Sequence, residues 1–313
     1  MPLDAECAGI VAAIESTGVQ WSDGIDPDEA TKGWGAGLLL GAGGEAETVA
    51  SVQDLDALGV QVRVYRPDAA QPLPLILFLH GGGFTIGSID SHDPITRRLA
   101  NRVPAIIVSV GYRKGPEHRF PAAQDDAWTA LRWVGVNAAQ LGADGSRLAV
   151  AGDSAGASLA TYLAIRARDE GGPPLRLQVL WLPWVDCALE TAASGQEHIS
   201  FQEFADGFVL DADAMRWFRE SYVDEADYSD WRVSPARSDD LSRLAPAFVA
   251  TAECDPLRDQ GEEYAGRLRA AGVPVGGGRY EGTYHPFYGM TAILAAARRL
   301  EDDTVAALQG ALS

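Results

Sequence analysis

Three patterns in the chain could together carry out covalent chemistry at a carbonyl carbon. The first is Gly152-Asp153-Ser154-Ala155-Gly156. A short apolar run, Leu148 to Ala151, stops there, and a helical spacing of Leu159, Leu163 and Ala167 follows at once. Strand, tight turn and helix in that order put a serine on a strained elbow, with its hydroxyl projecting from the top of a sheet. Small residues two before and two after it are needed where strand and helix nearly collide, and Gly152 and Gly156 meet that need. The second pattern is His80-Gly81-Gly82-Gly83-Phe84, directly after the apolar run Leu73 to Leu79. Consecutive glycines pack nothing, so they imply that backbone N–H groups must be presented to something, here an acyl oxygen that becomes an oxyanion. The expected donors are Ala155, following the nucleophile, with Gly81 and Gly82.

The third pattern is a base with an acid to orient it. Elbow serines on such sheets are followed along the chain first by the acid and then by the histidine. Of the histidines at 80, 92, 118, 198 and 285, only His198 and His285 come late enough. His285 follows a glycine-rich strand, Gly276 to Gly282, and precedes Pro286 and a helical stretch expected over Phe287 to Leu300. His198, in the polar stretch SGQEHIS, reads as a solvated loop residue. The acid is expected where the strand Ala247 to Cys254 ends, at Asp255, before a helix from Leu257 to Ala271. Asp255 could equally cap that helix, and chain order favours the orienting role. Asp259 is the second choice, more simply a first-turn charge on the helix dipole.

The elements that must position these groups follow from periodicity. Val60, Val62 and Val64 alternate with Gln61, Arg63 and Tyr65, as in antiparallel strands at a sheet edge. Leu73 to Leu79, Ala105 to Tyr112 and Leu177 to Val185 are continuous apolar runs, as in strands buried on both faces of a parallel sheet. Helices are expected over Asp93 to Arg102 and Ala122 to Leu141. The loop Tyr112 to Pro121 carries Arg113, Lys114, His118 and Arg119, read as an ion-pair cluster around Glu117. Residues 1–45 divide into two helices, Ala5 to Thr17 and one from Asp26-Pro27 that carries Trp34. The later glycines lack the preceding strand of a dinucleotide fingerprint. Residues 187–232 form a polar, helical insertion between two stretches of core, 46–186 and 233–313. Its Phe201, Phe204, Phe208, Met215, Trp217, Phe218 and Tyr222 would supply pocket walls, with Phe208 the preferred contact and Phe84 and Trp34 beside it.

HGGGF, Tyr112 to Val134, GDSAG, DPLRD from Asp255 and YEGTYHPF from Tyr280 taken together resemble the bacterial hormone-sensitive-lipase family of carboxylesterases, from about Val60 to the C-terminus. The resemblance implies an α/β-hydrolase fold: a mostly parallel central sheet flanked by helices, with a helical cap that includes the N-terminal segment, whose glycines would make it mobile. It implies a serine esterase for short- to medium-chain acyl esters with no metal or organic cofactor. Its site residues would be Ser154, Asp255 and His285, with Gly81, Gly82 and Ala155 for the oxyanion. The chain departs from the family at Pro286 and Ala157, where glycine is usual, and at Lys114-Gly115. The alternatives are a non-catalytic small-molecule receptor on the same fold and an amidase or peptidase with the same three residues.

Composition bounds the rest. In 313 residues that are 47% hydrophobic, a net charge of −19 argues against nucleic acid and anionic lipid as partners. Cys7, Cys187 and Cys254 follow neither a disulfide nor a zinc spacing, and Cys254 reads as a small buried residue within its strand. No apolar run is long enough to insert in a membrane, and the start of the chain has no secretory pattern, so a cytoplasmic protein, with a homodimer possible through a sheet edge, is the expectation.

Overall fold

The computed structural model describes residues 3–16, 43–70, 72–192 and 194–313. A single eight-stranded sheet runs in the order β1-β2-β4-β3-β5-β6-β7-β8. β1 (Ser51–Asp56) and β2 (Gln61–Arg66) form the antiparallel edge, with Val62 and Val64 buried and Gln61 exposed as the alternation predicts, but with Tyr65 buried too, its hydroxyl donated to Asp93 Oδ1. The sheet is parallel from β4 (Ile106–Gly111) through β3 (Leu73–Leu79), β5 (Ala143–Asp153), β6 (Leu175–Trp181) and β7 (Ala247–Cys254) to β8 (Val275–Tyr284). Every residue of β3 and of β7 is buried. Continuous apolar runs are what a strand covered on both faces requires.

Helices flank the sheet. α1 spans Ala5–Glu15 and α2 Asp93–Arg102; α3, Ala122–Asn137, stops four residues short of the expected Leu141. α4 (Ala155–Glu170) leaves the elbow and lies against α3, where the Arg166 guanidinium sits 4.5 Å from the Trp128 ring centroid. Two helices, α5 (Ile199–Glu203) and α6 (Ala212–Tyr222), lie in the insertion. α7 spans Arg258–Ala270, and α8, Ala295–Leu312, closes the chain against α2. The join between α2 and α8 is the pair Arg98 Nε to Glu301 Oε2, 2.9 Å, with both side chains 8% exposed. Arg102 Nη1 adds a second bond to Glu301 Oε1 at 2.9 Å.

The expected helix over Phe287 to Leu300 is corrected. A short 3-10 turn, Phe287–Gly289, is followed by extended backbone at Leu294 before α8 begins. Phe287, Tyr288, Met290 and Leu294 are therefore buried from a turn and extended chain, and only the end of the expected stretch, Ala295 to Leu300, is helical. β6 also ends early, because Leu182 adopts φ 49° and turns the chain. Asp186, four residues on, is buried and held by Arg237 Nε at 2.8 Å. The expected second N-terminal helix, its glycines up to Gly41 and the whole of Trp34 fall outside the described residues, while Gly43 and Gly44 are described, with Gly43 O accepting from Arg98 Nη1 at 3.1 Å. Among those described, no helix is long and apolar enough to cross a membrane.

Candidate active site

At the end of β5 the chain turns through Ser154, which holds φ 51° and ψ −118°. A non-glycine residue at positive φ is strained and persists only where its surroundings fix it. Here they do: Ser154 N donates to Trp181 O at 2.8 Å, and Trp184 N donates to Ser154 O at 3.2 Å. The flanking glycines are required by space. A β-carbon on Gly152 would lie 2.7 Å from Leu79 O, and one on Gly156 2.6 Å from His80 O. The elbow thus presses on the end of β3, which brings the glycine loop beside the serine.

His285 is buried in the turn after β8, and its Nδ1 lies 2.8 Å from Asp255 Oδ2. Asp255, 1% exposed at the end of β7, also accepts the N–H of Leu257 on Oδ1 at 2.8 Å. Asp255 thus engages the backbone before α7 and the His285 imidazole on separate oxygens; the residue at the N-cap of α7 is Leu257, without a side-chain cap. Asp259 faces elsewhere: its Oδ2 accepts the N–H of Ser200 at 2.7 Å and anchors α5 to the start of α7. His198 corrects its expectation. It is buried, with Nδ1 2.7 Å from Leu189 O and Nε2 3.1 Å from Glu263 Oε2, because the insertion folds back on α7. Cys254 is buried within β7 as expected, and burial, with Glu253 beside it, pushes its thiol up to about 11, away from nucleophilic thiolate character.

Ser154 and His285 line one cavity with Gly82, Gly83 and Tyr288. Trp184, Leu210, Met215 and Phe218 complete its wall among the described residues. Its volume is about 10 Å³, room for about one water. Gly81 corrects its expectation as an oxyanion donor, since its N–H is donated to Asp153 Oδ1 at 3.0 Å. Its lack of a side chain serves another end, because a β-carbon there would overlap the Asp153 carboxylate. Among the described residues, the N–H groups of Gly82 and Gly83 in the cavity wall and of Ala155, next in the chain after Ser154, are not donated elsewhere.

The expected aromatic contacts are corrected too. Phe84 is fully buried and stacks on Tyr222 with centroids 3.9 Å apart, inside the packing behind the cavity wall. Its backbone holds φ 58°, and its ring centroid also lies 5.5 Å from that of Trp184. Phe208 packs on Phe204, 6.4 Å between centroids, and is not part of the wall. Met215 and Phe218, from the same aromatic stripe, take that place. Trp184, Leu210 and Tyr288 were not singled out from the sequence, because the irregular stretches that carry them have no period to reveal which way a side chain points. Two arginines of the loop after β4 pair with aspartates in place of the expected Glu117: Arg113 Nη2 is 2.8 Å from Asp126 Oδ1 and Arg119 Nη2 2.7 Å from Asp224 Oδ1.

A model of the alpha/beta hydrolase fold matches residues 76–289. The chain belongs to this family. It is 45% identical to the carboxylesterase NlhH of Mycobacterium tuberculosis over 81% of this chain and 79% of that one. An ethyl acetate hydrolase of Pseudomonas putida is 39% identical over 87% and 86% of the two chains. Among solved structures, a hyperthermophilic esterase from Pyrobaculum calidifontis superposes with a TM-score of 0.91 at 38% identity, covering 99% of each chain. The protein is a carboxylic-ester hydrolase of the bacterial hormone-sensitive-lipase-like type, as the ordered motifs implied. Within this esterase the glycine loop, elbow and histidine turn converge at the carboxyl ends of β3, β5, β7 and β8.

Proposed function

We propose that this esterase hydrolyses short- to medium-chain acyl esters through an acyl-enzyme on Ser154. The observation that carries the reading is a single convergence: a serine on a strained elbow and a histidine held by a buried aspartate share one cavity with unused backbone N–H groups. His285 takes the proton of the Ser154 hydroxyl as the oxygen attacks the ester carbonyl. Asp255 keeps the proton on Nδ1, so that Nε2 is the basic nitrogen, and it stabilises the imidazolium that forms. The tetrahedral oxyanion is received by the N–H groups of Gly82, Gly83 and Ala155, whose positions are fixed before the reaction. His285 returns the proton to the alkoxide, the alcohol leaves, and water repeats the sequence to release the acid. A wall of Leu210, Met215, Phe218 and Trp184 suits a modest apolar acyl or alcohol group.

Ser154→Ala tests the assignment. Turnover of a chromogenic ester is expected to fall by roughly four to six orders of magnitude with folding intact. A fluorophosphonate is expected to add once, at Ser154. A variant that retains more than a few per cent of the activity, or a label found elsewhere, would mean that another nucleophile acts.

A further inference from the structure

Behind the glycine loop lies a carboxylate with no part in the proton transfers just described. Asp153, immediately before the nucleophile, is completely buried. Its Oδ1 accepts the N–H of Gly81 at 3.0 Å, and its Oδ2 accepts the hydroxyl of Tyr288. His92 Nε2 lies 3.3 Å from Oδ1 and 3.4 Å from Oδ2, while its Nδ1 is 2.8 Å from Ser91 Oγ. With its proton on Nε2 the imidazole donates to the carboxylate, and its Nδ1 shares the one Ser91 hydroxyl hydrogen with Ser88 O, 2.9 Å from Ser91 Oγ. One carboxylate therefore joins four segments: the loop after β3, the end of β5, the start of α2 and the turn that carries His285.

We propose that Asp153 is a positioning residue that sets the spacing between the oxyanion donors, Ser154 and His285; the proposal rests on the assignment of Ser154 and His285 above. A run of glycines has no side chains by which neighbours can hold it, so it must be held through its backbone. A buried carboxylate does this well, since charge-assisted hydrogen bonds in a low-dielectric interior are roughly twice as strong as neutral ones. Fixing the Gly81 N–H fixes the approach of the next peptide, whose N–H belongs to Gly82 at the cavity wall. Tyr288, three residues after His285 and itself in the wall, ties the histidine turn to the same carboxylate. Oxyanion donors lose their effect when displaced by a few tenths of an ångström, so a shared anchor for the loop and the turn governs transition-state binding more than substrate binding.

Asp153→Asn preserves shape but sets an amide N–H against the Tyr288 or His92 donors. With Ser154 labelling of the wild type confirming the underlying reading, kcat is expected to fall by about 10- to 100-fold with KM changed less than about threefold. Affinity for an aryl trifluoromethyl ketone, which forms a tetrahedral adduct, is expected to fall by the same factor as kcat/KM. Tyr288→Phe, which deletes one oxygen, gives a smaller loss of the same kind, and the double variant loses less than the product of the two. A folded Asp153→Asn enzyme within twofold of wild-type kcat overturns the proposal. So does a loss of kcat/KM with ketone affinity unmoved, which marks a merely structural effect. If Asp153→Asn does not fold, Tyr288→Phe decides: a loss of kcat/KM matched in ketone affinity supports the proposal, and unmoved kcat or unmoved ketone affinity overturns it. A wild type that is not labelled at Ser154 refutes the earlier assignment instead.

Discussion

Asp255 bears separate loads on its two oxygens, a backbone N–H at the start of α7 and the imidazole of His285. Asp255→Asn separates them. The amide oxygen can still accept from Leu257, while an amide N–H facing Nδ1 imposes the wrong tautomer, so kcat is expected to fall about 10⁴-fold with little change in the thermal midpoint. Steady-state kinetics and calorimetry on one preparation check both halves. His80 makes a different statement, about stability. Its imidazole is held well below the usual range, first by burial and then by the nearby His92 and Lys114. The folded state keeps this group neutral while the unfolded chain takes up a proton near the ordinary value of 6.5. Its contribution is complete above that value and is lost as pH falls below it, by up to about 1.4 kcal/mol per pH unit. Urea midpoints are expected to be lower at mildly acidic than at neutral pH. His80→Asn, whose amide N–H can replace the Nδ1 bond to Gly81 O, is expected to flatten that dependence.

At the scale of elements, legibility followed periodicity and covalent order. β3, β7, α2 and the edge pair stand where apolar runs and alternation put them, and the nucleophile turn was readable because Gly152 and Gly156 answer a steric demand. Chain order selected Asp255 and His285, which do meet. What was not legible depends on contacts between distant segments. Gly81 could not be told from Gly82 until Asp153 was seen to occupy its N–H, and Phe84 and Phe208 could not be told from Phe218 without the path of α6. His198 looked solvated because its partner Glu263 lies 65 residues away. The junction of α2 and α8 is of this kind too. Glu301→Ala would leave Arg98 buried and short of a counter-charge, and is expected to destabilise the fold by about 3 kcal/mol. Denaturant titration checks this, and kcat measured well below the midpoint is expected to be unchanged.

Taken whole, the molecule sets an acidic surface, net charge −19, around a sheet whose carboxyl edge carries every candidate reacting group. The insertion supplies Leu210, Met215 and Phe218 to the wall of the cavity that holds Ser154. Phe218 packs so tightly over Gly83 that even a methyl group there would overlap its ring. Phe218→Ala is expected to shift the kcat/KM profile over an acetyl-to-dodecanoyl ester series toward longer chains, at a stability cost of about 3 kcal/mol. An unchanged profile would place the acyl group elsewhere. The same tight wall bears on self-protection. Among the described residues Ser154 is 6% exposed at this wall, so the bulk of an electrophile, as well as its reactivity, bears on how readily it meets the hydroxyl.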